Sequence, residues 1–131
     1  MADEIFMKTM VKTLASMPEE QRRIMLNDRL RSFIDLSDQE RENSMKSMLV
    51  AAISLSEDEY LKIAETRTRV VMSLEQSERM KLMKTQLTVV TSLEPSLKQK
   101  EMEIMRKVFQ KLPEQQSQML KKMLSENGLE L

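Results

Sequence analysis

Leu36, Leu55, Leu74, Leu93 and Leu112 recur at intervals of 19 residues, and Met17 holds the same position one interval earlier. Spacing this regular marks a repeat architecture, in which each unit buries its apolar face only by stacking on its neighbours. A helix-start signal follows each member of the series. Ser37-Asp-Gln-Glu40 and Ser56-Glu-Asp-Glu59 are capping-box patterns, placing a hydroxyl and a carboxylate where each can bond a free backbone N–H. Pro18, Pro95 and Pro113 fall in the same columns, where a first-turn proline forfeits no hydrogen bond. Glu19, Glu20, Asp38, Glu57 and Asp58 crowd these starts, as the positive end of a helix dipole favours.

Behind each start runs an apolar stripe at three- and four-residue spacing, such as Leu26, Leu30 and Phe33, or Met83, Leu87 and Val90. The spacing predicts seven helices at about 3–15, 18–34, 37–53, 56–72, 75–91, 95–110 and 113–126. A single long rod is disfavoured, because at about 100° per residue a 19-residue repeat would spiral around the rod instead of forming a seam. Helices this short are marginal alone and must stack. Glu126-Asn-Gly128 reads as the last helix's C-cap, with Leu129-Glu-Leu131 as a short tail.

The deeper period is 38. The first, third and fifth helices share Met7-Lys-Thr-Met10, Met45-Lys-Ser-Met48 and Met83-Lys-Thr-Gln86, echoed by Lys121-Lys-Met-Leu124 in the seventh. The second, fourth and sixth carry Asn27-Asp-Arg-Leu-Arg31, Glu65-Thr-Arg-Thr-Arg69 and Glu103-Ile-Met-Arg-Lys107. Two alternating helix types define a helix pair as the unit. The expected fold is therefore all-α: one domain of tandem helix-pair repeats, with units at about 1–35, 36–73 and 74–111 and a half-unit at 112–131. They would form a right-handed α-solenoid-like array or a compact α-α superhelix bundle. The period lies among those of the tetratricopeptide and HEAT classes, though the tetratricopeptide Trp/Gly/Tyr pattern is absent. The Leu-Ser/Pro-x-x-Glu joints resemble those of the short-helix N-terminal domains of magnesium-transporter proteins, a likeness that carries no residue role across.

Composition narrows function mostly by exclusion. The 131-residue chain has neither Cys nor His, which removes disulfides, common zinc sites, Cys nucleophiles and His-based acid–base catalysis. The 21 basic and 21 acidic residues cancel, which argues against a dedicated nucleic-acid binder. Met-Ala-Asp-Glu-Ile-Phe lacks the basic and apolar regions of a signal peptide, and the apolar run from Met48 to Ile53 is too short to span a bilayer. The expected setting is cytoplasmic, without membrane insertion.

Several residue sets are candidate sites. Lys8, Lys46, Lys84 and Lys122 form a ladder that would suit an acidic ligand. The same column on the alternate helices holds Glu65 and Glu103, so Lys46, Glu65, Lys84, Glu103 and Lys122 are expected to pair as interhelix ties. Arg29 and Arg67 sit at the edge of the core face, where a guanidinium needs a carboxylate or carbonyl, and are assigned to interhelix ties as well. Arg31, Arg69 and Lys107 point away from the core and form a sparse basic row with no aromatics for base stacking. Met7/Met10, Met45/Met48, Met80/Met83 and Met102/Met105 stand one helical turn apart, a Cu(I)-compatible spacing that core packing also explains.

The third and fifth helices are apolar nearly all round in their second halves. Val50, Ala51, Thr88 and Val89 would then belong to the inner layer, or line a partner-binding groove. The first and last helices carry apolar residues with no clear polar outer face, including Ile5, Phe6, Met119 and Leu120, which favours a homodimer through the terminal helices.

The functional expectation is a non-enzymatic protein-interaction or scaffold module, with no cofactor and no bound metal, whose partner is another protein or itself. Alternatives are a self-associating structural protein, binding of nucleic acid or an acidic partner along the basic row, and Met-mediated Cu(I) binding. A pocket where Glu, Lys and Arg converge near Arg67 would put an enzyme first.

Overall fold

The computed structural model describes residues 2–129. Among them are seven α-helices and no strand: α1 (Ala2–Ser16), α2 (Glu19–Ile34), α3 (Asp38–Ile53), α4 (Glu57–Ser73), α5 (Gln76–Ser92), α6 (Pro95–Gln110) and α7 (Glu114–Glu126). The fold is all-α, and the helices fall where the 19-residue periodicity places them.

The Leu series is where helices close. The backbone N–H groups of Met17, Leu36, Leu55, Leu74, Leu93 and Leu112 each donate to the carbonyl three residues back, at 3.1–3.2 Å. This tight final turn uses one of the carbonyls that a helix end leaves free. The next residue is extended, with ψ of 149° at Pro18, 160° at Ser37, 158° at Ser56, 154° at Glu75, 148° at Glu94 and 142° at Pro113. The chain turns by changing ψ while φ stays negative, so no joint needs glycine.

Caps then differ from joint to joint. Ser56 and Glu59 form a complete reciprocal capping box, both bonds 3.2 Å. At Ser37 only half forms: its hydroxyl accepts from the Glu40 N–H and donates to the Glu40 carboxylate. Pro18 and Pro113 occupy N-cap positions, and Pro95 begins α6. Gly128, with φ of 78°, ends α7 through bonds from Gly128 N–H to Ser125 and from Leu129 N–H to Leu124. Leu129 is buried there, while the rest of the expected tail, Glu130 and Leu131, lies outside the described residues.

Packing sorts the helices into two layers. α3 packs between α1 and α5, and α4 between α2 and α6, with cross-layer contacts such as α1 on α4 and α2 on α5. One core runs through the interface, with Val11, Leu26, Ile63, Leu82 and Val90 sealed inside. Each Leu or Ile so buried stabilises the fold by roughly 1.5–3 kcal/mol. The same ion pair recurs in the even layer at an offset of 38 residues. Arg69 meets Glu19 at 2.6 Å, and Lys107 meets Glu57. The seventh helix stands furthest from its neighbours, reaching the core mainly through Leu120, Met123 and Leu124.

Candidate functional site

Position four of α2, α3 and α4 supplies buried polar side chains. Arg22 of α2 turns back on α1, where Nε donates to the Leu14 carbonyl at 2.9 Å and Nη2 to the Met17 carbonyl at 2.6 Å; Glu19 holds Nη1 at 2.8 Å. Nineteen residues on, Arg41 repeats this, with Nε on Phe33 at 3.2 Å, Nη2 on Leu36 at 2.9 Å and Nη1 on Asp38 at 2.8 Å. Each buried guanidinium thus satisfies two helix-end carbonyls.

The next member of that column is Tyr60, which instead points inward and donates to Glu101 of α6. Glu101 is fully buried. It also accepts from Gln86 Nε2 of α5 at 3.0 Å, and Arg67 Nη2 stands 3.6 Å away. Arg67 Nη1 donates to the Tyr60 hydroxyl at 3.1 Å, and its guanidinium lies over the Tyr60 ring, 5.8 Å from the centroid. Burial pushes the Glu101 carboxyl above its usual range, against the opposing pull of Arg67, Tyr60 and Gln86. Burial likewise raises the Tyr60 hydroxyl well above its ordinary value. For Arg67, burial disfavours the charge, but Tyr60 and Glu101 outweigh it and the guanidinium stays protonated. Beside this cluster lies a partly open cavity of about 100 Å³ lined by α4, α5, α6 and α7 and by Leu30 of α2 and Met45 of α3, with a smaller void of about 30 Å³ beside it; Arg67 and Gln86 line both.

A second feature is wider. Between α1 and α3 runs a groove of about 740 Å³. Phe6, Met7, Phe33, Met48 and Val50 give it apolar surface, while among the described residues Lys8, Lys46 and Arg29 bring three cations against the carboxylate of Glu4. Arg29 is half-buried, and its only hydrogen bond among the described residues goes to the Met10 sulfur, a weak acceptor.

The ladder and the basic row exchange the roles expected of them. Lys46, Lys84, Glu103 and Lys122 are exposed and form no ion pair among the described residues; Lys8 is likewise free. Odd and even helices lie in different layers, so their mid-helix columns do not meet. Glu65 pairs instead with Lys111 at 2.7 Å and Arg69 at 4.0 Å. The basic row is the neutralised set: Arg69 and Lys107 pair as above, and Arg31 lies 3.7 Å from Glu78. Arg67 bridges α4 and α6, but among the described residues Arg29 ties nothing through a carboxylate.

The four apolar candidates divide. Val50 is 37% exposed, and Thr88 is exposed, whereas Ala51 and Val89 are buried. Consecutive helix positions differ by about 100°, so neither pair presents one face. Val50 and Ala51 line the α1/α3 groove; Thr88 and Val89 do not. Met45, Met48, Met102 and Met105 are core residues.

Sequence reasoning missed Arg22, Arg41 and Glu101. A signal was present for Glu101: its 19-residue column reads Phe6, Met25, Ser44, Ile63, Leu82, Glu101, Leu120, and a lone carboxylate there must be buried and partnered. Compared with family models, curated proteins and solved structures, the chain matches none.

Proposed function

We propose that this chain is a non-enzymatic protein-interaction module that seats an acidic amphipathic helix of a partner protein between α1 and α3. The observation carrying this reading is Arg29, a half-buried cation with no carboxylate partner among the described residues, in a groove with apolar walls and Lys8 and Lys46 nearby. An apolar helix face would fill the groove, and carboxylates beside it would meet the three cations. The Glu101 cluster brings Glu and Arg together near a cavity, but no Lys joins them. Glu101 is sealed and already bonded to Tyr60 and Gln86, so the cluster reads as a structural tie.

The test uses two synthetic helical peptides with the same apolar face, one bearing Glu and the other Lys on its flanks. The Glu peptide should bind at micromolar concentration and weaken as salt rises. Equal binding of both, or of neither, contradicts the reading.

A second reading is self-association, favoured by one column. Ile5, Ile24 and Met119 are exposed at 68%, 53% and 41%, while the interior members of the column are Asn43, Lys62, Lys81 and Lys100. Apolar residues thus occur there only on the first two helices and the last. A homodimer would cover them, and Ile5→Lys with Ile24→Lys would dissociate it; sedimentation of the wild type as monomer alone at low micromolar concentration removes the idea. No helix among the described residues is long and apolar enough to cross a membrane.

A further inference from the structure

We infer that the cavity under α7 is a binding site for a small, neutral, apolar molecule carrying one carbonyl acceptor. Its walls are apolar, with Met83 from α5, Met105 and Phe109 from α6, and Leu120 and Met123 from α7. Its polar end is Arg67 and Gln86. Arg67 makes a single hydrogen bond, from Nη1 to Tyr60, while Nη2 is 3.6 Å from Glu101. No sealed side-chain nitrogen or oxygen among the described residues lacks a hydrogen bond. Arg67 Nε, which has none, is therefore not sealed, Nη2 faces the Glu101 carboxylate, and the Arg67 side chain, 19% exposed, lines the cavity. A guanidinium N–H without a hydrogen bond in a largely apolar pocket favours a ligand acceptor.

Charge and volume narrow the class. Glu101 already stands against Arg67, so a ligand carboxylate would bring a second acid beside the first. A carbonyl accepts the hydrogen bond without that cost. An apolar cavity of ~150 Å³ takes benzene, and this one is about 100 Å³, which fits a short branched chain or a small ring. Thioethers on three sides adapt to such a guest. The seventh helix, set apart from its neighbours, forms one wall of this partly open pocket with Leu120, Met123 and Leu124.

Cyclopentanone is a suitable probe, titrated into the full chain labelled at its methionine methyls and followed by NMR. It should shift Met83, Met105 and Met123 with a dissociation constant of about 1 mM and leave Met7 unmoved. Cyclopentane, which lacks the acceptor, should bind about ten-fold more weakly, and isobutyrate should not bind. Leu120→Phe, which adds bulk inside the chamber, should abolish the shifts while circular dichroism stays unchanged. No shift with cyclopentanone at about 10 mM overturns the site. Equal affinity for cyclopentane overturns the part given to Arg67, and tighter binding of isobutyrate overturns the neutral class.

Discussion

The guanidinium of Arg29 on α2 donates to the sulfur of Met10 on α1 and finds no carboxylate among the described residues. One helix pair later in the same column, Arg67 lies 3.6 Å from the Glu101 carboxylate. Two arginines in equivalent positions thus bear opposite relations to the fold. Arg29→Met should leave stability unchanged or raise it by about 1 kcal/mol, because a half-buried charge with no carboxylate among the described residues is removed. Arg67→Met should cost about 3–5 kcal/mol, because Glu101 is left buried beside no cation. Urea unfolding of both variants checks the contrast.

Glu101 should make stability fall as pH rises. Its folded pKa is raised by burial, whereas an unfolded glutamate titrates near about 4.3. Above that value the unfolded chain has released the proton while the folded chain still holds it, so the contribution of Glu101, complete below about 4.3, is lost as pH climbs through the folded pKa. Glu101→Gln, which keeps an acceptor for Tyr60, should lack that decline. Melting temperatures from pH 4.5 upward, wild type minus variant, would show it.

Arg22 and Arg41 each occupy two helix-end carbonyls and an acid. Replacing either by Met should cost about 2–3 kcal/mol, since carbonyls at the joint lose charge-assisted bonds. Arg41→Lys should recover little, because an ammonium cannot reproduce the planar fork. Chemical denaturation of the three variants decides the point. Arg69→Ala offers the comparison: it removes only an exposed pair with Glu19 and should stay within about 1 kcal/mol of wild type.

These joints also show how far the sequence carries. The seven helices were legible because capping and apolar spacing are local, and each joint repeats them every 19 residues. The layers were not, because a column says which side a residue faces but not which helix waits there. Hence Lys46 and Glu65 share a column yet never meet, while Arg69 and Glu19, 50 positions apart, do. The buried cluster was legible only in part. Arg67 showed itself as a charge on the core face, but its partner Glu101 lies in a column that reads as apolar until aligned. The groove was hidden for a different reason: Phe6, Val50 and Arg29 come from three helices, and only packing brings them together.

Among the described residues, Ser56 is the one start where both halves of the capping box close. Its hydroxyl and backbone N–H hold the Glu59 carboxyl below the usual range. Ser56→Ala should lower stability by about 0.5–2 kcal/mol and return Glu59 toward its ordinary pKa. Thermal unfolding reads the first effect and carboxyl NMR the second.

The α1/α3 groove stands or falls on its charge. Lys8→Glu with Lys46→Glu reverses two of the three cations without touching the core, since both side chains are exposed. Fluorescence anisotropy of the Glu-flanked and Lys-flanked peptides against this double variant is the most direct measurement. The predicted result is an inverted preference, with the Glu peptide released and the Lys peptide bound. Undiminished binding of the Glu peptide would contradict the proposed site.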